Sequence, residues 1–301
     1  MSFYETDCQS FFQFLKTEKR YSPHTLTNYQ RDLNRFIEFC KQNKITSWNK
    51  IDHQHIRSYV AQIHRKGLGG KSIQRSLSSI RSLFNFLLRN KIAEKNPALG
   101  VSAPKSSRKL PEVLTPDDLD NLMRLDEKNP LAVRDMAIME LLYGCGLRLA
   151  ELIGLDTHKI EWQGKTLDVT GKGSKQRIIP FGEKAETALK KWMKQRNHFA
   201  KENEQAVFVS QRGTRISASS VQQRLKKWAQ FKGLDRRCYP HLMRHSYASH
   251  ILESSHDLRA VQELLGHANL STTQIYTHLD FQHLAKIYDS AHPRAKVITK
   301  K

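Results

Sequence analysis

Cysteine is scarce in this sequence, and no two cysteines lie close together. The chain contains four of them: Cys8, Cys40, Cys145 and Cys238. Because no CxxC pair is present, the set lacks the spacing of a zinc cluster, and its scatter does not resemble a disulfide framework. We therefore expect reduced thiols inside a packed core.

Long apolar runs are also missing. The strongest apolar window, Ala137 to Leu147, is interrupted by Glu140 and is much shorter than the ~20 apolar residues that cross a bilayer. The first twenty residues include acidic side chains and lack the ordered basic, apolar and small-residue regions of an export signal. We therefore expect a cytoplasmic protein without a membrane segment.

Acidic residues are few relative to basic ones. The 301 residues include 50 Lys and Arg against 29 Asp and Glu, which gives a formal net charge of +21. Such an excess predicts a polyanionic partner. The hydrophobic fraction of 39% is sufficient for packed cores, and the length predicts roughly two domains.

The first hundred residues show the three- and four-residue apolar spacing that is typical of amphipathic helices. Ser22-Pro23 has the character of a helix start ahead of Leu26. The pattern predicts four helices, around residues 11–15, 26–40, 56–65 and 73–88. We expect these helices to form an N-terminal domain over residues 1–103.

Proline, serine and basic residues interrupt this periodicity between Ala103 and Val113, which indicates an exposed basic linker at 104–111. A second domain, 112–301, begins with a Thr115-Pro116 cap and is predicted to be mostly helical. Between Lys165 and Phe181, two β-branched runs flank GKGSKQ, which is typical of a hairpin. The expected fold class is mainly α with a small antiparallel β-sheet, an α+β fold.

Several basic residues have the spacing of a phosphate site. Lys172 lies in a Gly-Lys-Gly turn without the GxxxxGK[ST] pattern, so an ATP loop is disfavoured, while a phosphate-binding lysine and a solvated one both stay open. His241 and Arg244 are three residues apart, so a helix would turn both toward one phosphate. A metal site is disfavoured here because Arg244 is a fixed cation. His245 and His250 are interpreted as packing or surface residues.

Three further residues have ordinary interpretations when each is taken alone. Arg148 precedes Glu151 by three residues, which is the spacing of a helix-surface ion pair. His267 would be a buried imidazole, and Tyr276 would be a core tyrosine. A functional inference is possible only when these residues are considered together with Lys172, His241 and Arg244.

Together and in order, these residues resemble the signature of the tyrosine recombinases, the phage integrase family. The motifs are Gly-Leu-Arg148-Leu-Ala-Glu-Leu, Gly-Lys172-Gly, His241-Leu-Met-Arg244-His-Ser, Leu-Leu-Gly-His267 and Tyr276, nine residues after the last histidine. The resemblance covers nearly the whole chain. Residues 1–103 are similar to the four-helix core-binding domain of the Xer-type bacterial members, and 112–301 to the catalytic domain.

The resemblance implies that the protein cuts and rejoins DNA strands through a 3′-phosphotyrosyl intermediate, with no metal or cofactor. Tyr276 would attack the phosphorus, and Arg148 and Arg244 would clamp the non-bridging oxygens. The remaining members would act on protons and on the bound phosphate: Lys172 as general acid, His241 in proton transfer at the tyrosine, and His267 as a hydrogen-bond donor to the phosphate.

The resemblance also implies partners. These are double-stranded DNA at a short recombination site, a XerD-like recombinase in a heterotetramer that resolves chromosome dimers, and a DNA translocase as activator, all at the nucleoid.

Two other classes of function stay open. A DNA-binding protein without chemistry is disfavoured by the complete catalytic set, and a type IB-like topoisomerase by the short N-terminal domain; a test for synapsis of two sites would separate the latter.

Overall fold

The computed structural model describes residues 3–104, 112–171, 176–234, 238–265 and 291–294. Over these ranges the chain is mostly helical and contains one three-stranded antiparallel sheet, which confirms the expected α+β class. The chain divides into two compact units, Met1–Leu110 and Pro111–Lys301. Among the helices of the described ranges, none has the length and apolar character needed to cross a bilayer.

Four helices build the described part of the first unit, which confirms the predicted set. They are α1 (Phe3–Thr17), α2 (Pro23–Gln42), α3 (His53–Arg65) and α4 (Gly70–Arg89). Ser22 caps α2 by accepting a hydrogen bond from the Thr25 backbone N–H, and Asp52 caps α3 in the same way through His55. Short polar side chains thus set where these helices begin.

The core of the first unit is rich in aromatic side chains. Phe36 of α2 and Tyr59 of α3 pack edge to face, with ring centroids 5.2 Å apart. The fully buried Asp32 of α2 accepts two hydrogen bonds from Arg75 of α4, at 2.8 and 3.2 Å. This ion pair between a buried carboxylate and a partly exposed guanidinium links α2 to α4 in addition to the apolar packing.

The second unit is built around one buried helix. In the described ranges its α-helices are α5 (Pro116–Met123), α6 (Pro130–Gly144), α7 (Leu149–Ile153), α8 (Glu183–Arg196), α9 (Ala218–Phe231), α10 (Pro240–Ser255) and α11 (Leu258–Leu265). The predicted cap at Thr115 is confirmed, because Thr115 and Asp118 exchange side-chain to backbone hydrogen bonds. Residues 137–144 of α6 are all buried, which marks α6 as the central helix of this core.

The sheet consists of β1 (Ile160–Glu161), β2 (Thr166–Thr170) and β3 (Gln176–Pro180) in the order β1-β2-β3. The predicted hairpin is confirmed by the antiparallel pairing of β2 with β3, in which Leu167 lies opposite Ile179 and Thr170 opposite Gln176. The turn residues 172–175, Lys172 included, lie outside the described residues. The same holds for the predicted linker apart from Pro104.

All four cysteines are free thiols in buried positions, as expected. Burial raises the pKa of Cys8, Cys40 and Cys238 to about 12 and also raises that of Cys145. Thiols with such pKa values stay protonated at neutral pH and are poor nucleophiles. The cysteines therefore belong to the packing of the two cores.

Candidate active site

Three of the predicted site residues, Arg148, His241 and Arg244, line one open cleft of about 470 Å³ in the second unit. The other lining residues are Leu147, Leu149, Gln222, Tyr239 and Pro240. The fold thus brings together two motifs that are far apart in the sequence. The remaining predicted residues, Lys172, His267 and Tyr276, lie outside the described residues.

A glycine turn places Arg148 at the mouth of this cleft. The central helix α6 ends at Gly144, and Gly146 has a φ of +60°, in the left-handed region that favours glycine. A Cβ at Gly146 would lie 2.5 Å from a ring carbon of Tyr247 on α10. Any other residue would strain the backbone and displace the Tyr247 ring, so the turn favours glycine. It delivers Arg148 to the N-cap position of α7.

Glu151, in the first turn of α7, fixes the position of Arg148. Its carboxylate accepts one hydrogen bond from the Arg148 backbone N–H and one from Arg148 Nη1, both at 2.8 Å. The Glu151 side chain is 1% exposed and that of Arg148 is 37% exposed. The i,i+3 pairing is as expected, but its surface location is wrong, because the carboxylate belongs to the interior and has further basic partners.

One of those partners is Arg177 on β3, which sequence reasoning did not single out. Arg177 Nη2 donates to Glu151 Oε2 at 2.9 Å. Burial alone would raise the pKa of the Glu151 carboxyl, but Arg177 and Arg148 together lower it below its ordinary value. The hairpin register is the sequence signal that could have found Arg177. Arg177 lies opposite Val169 on the same face of the hairpin, and Val169 is buried, so the register predicts an arginine that faces the interior.

Arg244 is more buried than Arg148, with side chains 8% and 37% exposed. Its Nη1 donates to the Gly146 carbonyl oxygen, and its Nη2 donates to the Leu265 carbonyl oxygen at 2.6 Å. Burial, reinforced by the charges of Arg148 and Arg177, lowers the pKa of Arg244 to about 10. The guanidinium therefore stays charged at neutral pH, and its five N–H groups exceed the two that these carbonyls use.

The cleft is positively charged because three arginine side chains lie close to a single carboxylate. The guanidinium groups of Arg148, Arg177 and Arg244 lie around the one carboxylate of Glu151, with Arg244 Nη1 4.0 Å from it. His241 stands in the first turn of α10, where backbone N–H groups point outward and favour an anion. This arrangement can bind a tetrahedral anion and stabilise added negative charge on its oxygens.

The two other histidines of this region do not line the cleft. His250 is buried, and its Nδ1 lies 2.9 Å from the Tyr143 hydroxyl oxygen, while His245 is half-buried on α10. Both positions agree with the packing interpretation. Within the described ranges, no group of three or more His, Cys, Asp or Glu residues could hold a metal ion.

Known families and proteins match both units. Residues 112–283 match the family model described as "Phage integrase family", and residues 8–91 match "Phage integrase, N-terminal SAM-like domain". Tyrosine recombinase XerC of Escherichia coli O127:H6 (strain E2348/69 / EPEC) is 49% identical over 97% of this chain and 97% of that protein. XerC of Shigella flexneri matches with the same identity and coverage.

Solved recombinases have a similar fold. The XerH site-specific recombinase in a post-cleavage complex with difH substrate has a TM-score of 0.70 at 23% identity, over 92% of this chain and 82% of that one. The Tn1549 transposon integrase in complex with a circular intermediate DNA has a TM-score of 0.72 at 18% identity, over 95% and 97%. The chain belongs to the phage integrase family and is a site-specific tyrosine recombinase that resembles XerC.

Proposed function

We propose that this recombinase cuts and rejoins duplex DNA with Tyr276 as nucleophile and with Arg148 and Arg244 as the clamp on the scissile phosphate. The observation that carries the proposal is the cleft in which Arg148, His241 and Arg244 converge above a buried carboxylate. The formal net charge of +21 supports a DNA partner. So do the similar XerH recombinase and Tn1549 integrase, whose structures contain a difH substrate and a circular intermediate DNA, respectively.

The clamp acts on charge that develops during transfer. In the pentacoordinate transition state the non-bridging oxygens carry more negative charge than in the diester, and preorganised donors stabilise that charge best. Arg244 is held by two backbone carbonyls before any phosphate arrives, and Arg148 is held by Glu151. Little reorganisation is then required when the phosphate binds.

The covalent steps balance without an external energy source. The Tyr276 oxygen forms a bond to phosphorus, the bond from phosphorus to the 5′ oxygen breaks, and Lys172 gives that oxygen a proton. His241 assists proton transfer at the tyrosine. The exposed position of His241 in the first turn of α10 is compatible with this role. His267 donates a hydrogen bond to the phosphate. A 5′ hydroxyl from a second strand then displaces the tyrosine and restores a phosphodiester.

The cellular role that we propose follows the XerC relatives. At 49% identity over almost the full length of both chains, the recombinase would act in the cytoplasm at the nucleoid and resolve chromosome dimers at a short DNA site. Its partner would be a XerD-like recombinase in a heterotetramer, with a DNA translocase as activator. This assembly would place two recombinase pairs on two synapsed sites.

Replacement of Tyr276 tests the central step. We expect Tyr276→Phe to abolish the covalent protein–DNA adduct and to leave DNA affinity nearly unchanged, because only the attacking oxygen is lost. The measurement is a denaturing gel with a nicked suicide substrate, beside a binding assay under native conditions. Tyr21→Phe, a change in the first unit, is the matched control and should form adduct normally. A denaturant-resistant adduct with Tyr276→Phe would contradict the assignment.

A further inference from the structure

Arg177 is a largely buried cation beside the cleft, and the proposed mechanism does not use its contacts. Its side chain is 12% exposed, it is absent from the cleft lining, and its two terminal nitrogens bind different elements of the fold. We propose that Arg177 is a positioning residue that orients the phosphate clamp through Glu151 and the end of α11. This inference rests on the proposed function of Arg148 and Arg244.

The first link runs from Arg177 to Arg148. Arg177 Nη2 donates to Glu151 Oε2 at 2.9 Å, and Glu151 Oε1 accepts from Arg148 Nη1 at 2.8 Å. A carboxylate held from both sides keeps a single orientation, so the Arg148 guanidinium inherits that orientation. Without Arg177, Glu151 Oε2 keeps the hydrogen bond from the Arg148 backbone N–H at 2.8 Å but loses its second donor, and Arg244 Nη1 lies 4.0 Å from the same oxygen.

The second link runs from Arg177 to α11. Here two arginines bind successive backbone carbonyls of α11. Arg177 Nη1 donates to the Leu264 carbonyl oxygen and Arg244 Nη2 to the Leu265 carbonyl oxygen, both at 2.6 Å. The same guanidinium therefore constrains the clamp residue Arg244 through a shared helix end.

The strand that carries Arg177 adds a third element. Arg177 belongs to β3, and the hairpin turn that contains Lys172 immediately precedes this strand in the sequence. One side chain thus connects the hairpin, α7 and α11, which in the sequence adjoin three of the proposed site residues, Lys172, Arg148 and His267. A residue that merely filled the core would not need acceptors on two elements.

The chemistry of the side chain also favours a positioning role. Arg177 Nε is buried and has no hydrogen-bond partner among the described residues, and an unsatisfied buried donor weakens folding stability. Replacing buried ionic groups by apolar ones of similar size is often neutral or stabilising. The contacts of this cation with Glu151 and α11 are therefore better explained by their effect on the neighbouring guanidinium groups than by folding stability.

The test compares cleavage of two suicide substrates in single-turnover reactions. One has an ordinary scissile phosphate, and the other has a methylphosphonate there, in which a neutral methyl group replaces one charged oxygen. A clamp that stabilises charge on non-bridging oxygens matters less for the neutral substrate. We expect Arg177→Met to cleave the phosphodiester on the order of 10- to 10²-fold more slowly, as for a displaced catalytic group, and to lose much less on the methylphosphonate.

Two further variants show whether Arg177 acts through Glu151. Arg177→Lys should recover little, because one ammonium cannot reach two acceptors on different elements with fork geometry. The double variant Arg177→Met/Glu151→Gln should be no slower than the slower single variant, because residues of one contact chain are not additive. Additive losses in the double variant would overturn the proposed path through the carboxylate.

Arg196→Met is the matched control. Arg196 is also a buried arginine of this unit, and it donates to the Ala206 and Glu204 carbonyl oxygens at 2.8 and 2.5 Å. Its loss should lower the melting temperature and leave the ratio of the two cleavage rates unchanged. Equal losses of Arg177→Met on both substrates, as for the control, would assign Arg177 to stability alone and overturn the proposal.

The variant Arg148→Ala distinguishes failure of the positioning role of Arg177 from failure of the proposed function on which that role rests. If Arg148 clamps the phosphate, its variant must lose far more on the phosphodiester than on the methylphosphonate. A selective loss for Arg148→Ala without one for Arg177→Met would overturn only the positioning role. Equal losses for Arg148→Ala on both substrates would overturn the clamp itself, and with it the role that we assign to Arg177.

Discussion

Arg244 shows how one residue can be both buried and poised to bind an anion. It is 7% exposed, and burial together with Arg148 and Arg177 lowers its pKa to about 10. The backbone carbonyls of Gly146 and Leu265 hold two of its N–H groups, so its guanidinium plane is set by the fold. A phosphate that enters the cleft meets a cation that has already lost most of its water, and the attraction is correspondingly stronger.

Arg244→Lys should therefore be far from conservative. A lysine ammonium is a point charge that cannot bind two backbone carbonyls and a phosphate in one plane. We expect the single-turnover cleavage rate to fall on the order of 10²-fold or more, as when a preorganised donor is removed, with DNA binding only slightly weakened. A cleavage rate close to that of the unaltered protein would mean that Arg244 does not bind the scissile phosphate.

Gly146→Ala tests the turn that positions Arg148. The change places a non-glycine residue at φ +60° and brings its Cβ to 2.5 Å from the Tyr247 ring. We expect a loss of unfolding free energy of about 1–3 kcal/mol from the backbone, a further loss from overpacking, and slower cleavage.

Gly233→Ala is the matched control for that change. Gly233 has a similar φ of +65°, and no atom of the described residues lies within 4 Å of the added Cβ. Its variant should therefore lose only the backbone part of the free energy and should cleave DNA normally. Equal effects of the two substitutions, measured by thermal unfolding and by cleavage, would show that the contact with Tyr247 does not matter.

At the scale of elements, the hairpin and the predicted helices follow from local rules. The caps at Ser22 and Thr115 and the paired β-branched runs of β2 and β3 carry their own signals in neighbouring residues. Strand β1 was not predicted because its two residues, Ile160 and Glu161, are too few for an alternating pattern to appear. Short elements of this kind depend on pairing partners elsewhere in the chain.

The candidate site was predictable only in part, for the same reason. The signature residues could be recognised by their order, and the i,i+3 spacing predicted that Glu151 pairs with Arg148. The link to Arg177 spans 26 positions, and the anchoring of Arg244 on Gly146 spans 98. No local pattern reports such contacts, because they arise only when the sheet, α10 and the central helix join in one core.

The proposed general acid belongs to the hairpin, and it can be tested separately from the clamp. An alkoxide leaving group needs a proton in the transition state, whereas a thiolate, with a thiol pKa of about 8.5, departs without one. Lys172→Ala should cleave ordinary DNA very slowly and recover most of its rate on DNA with a bridging 5′ sulfur. Arg148→Ala should not recover. Equal rescue of both variants, or of neither, would remove Lys172 from the proton-donor role.

At the scale of the whole molecule, positive charge is spread over the full length of the chain. Residues 1–103 contain 17 Lys and Arg against 7 Asp and Glu, and the remaining residues contain 33 against 22. The cleft residues account for only a few of these charges. Most of the excess positive charge is therefore available for contacts with DNA phosphates. Such contacts position a duplex but do not distinguish one DNA sequence from another.

This distribution predicts that DNA affinity depends steeply on salt while the chemical step does not. Six to ten phosphate contacts would weaken binding by about 10³- to 10⁵-fold between 50 and 200 mM salt, because each contact releases condensed counterions. The cleavage rate at saturating recombinase should change much less, since Arg148 and Arg244 act at contact distance, well inside a Debye length of about 10 Å. Fluorescence anisotropy over a salt series gives the first quantity, and single-turnover cleavage gives the second. An affinity that is insensitive to salt would mean that the +21 charge serves some purpose other than DNA binding.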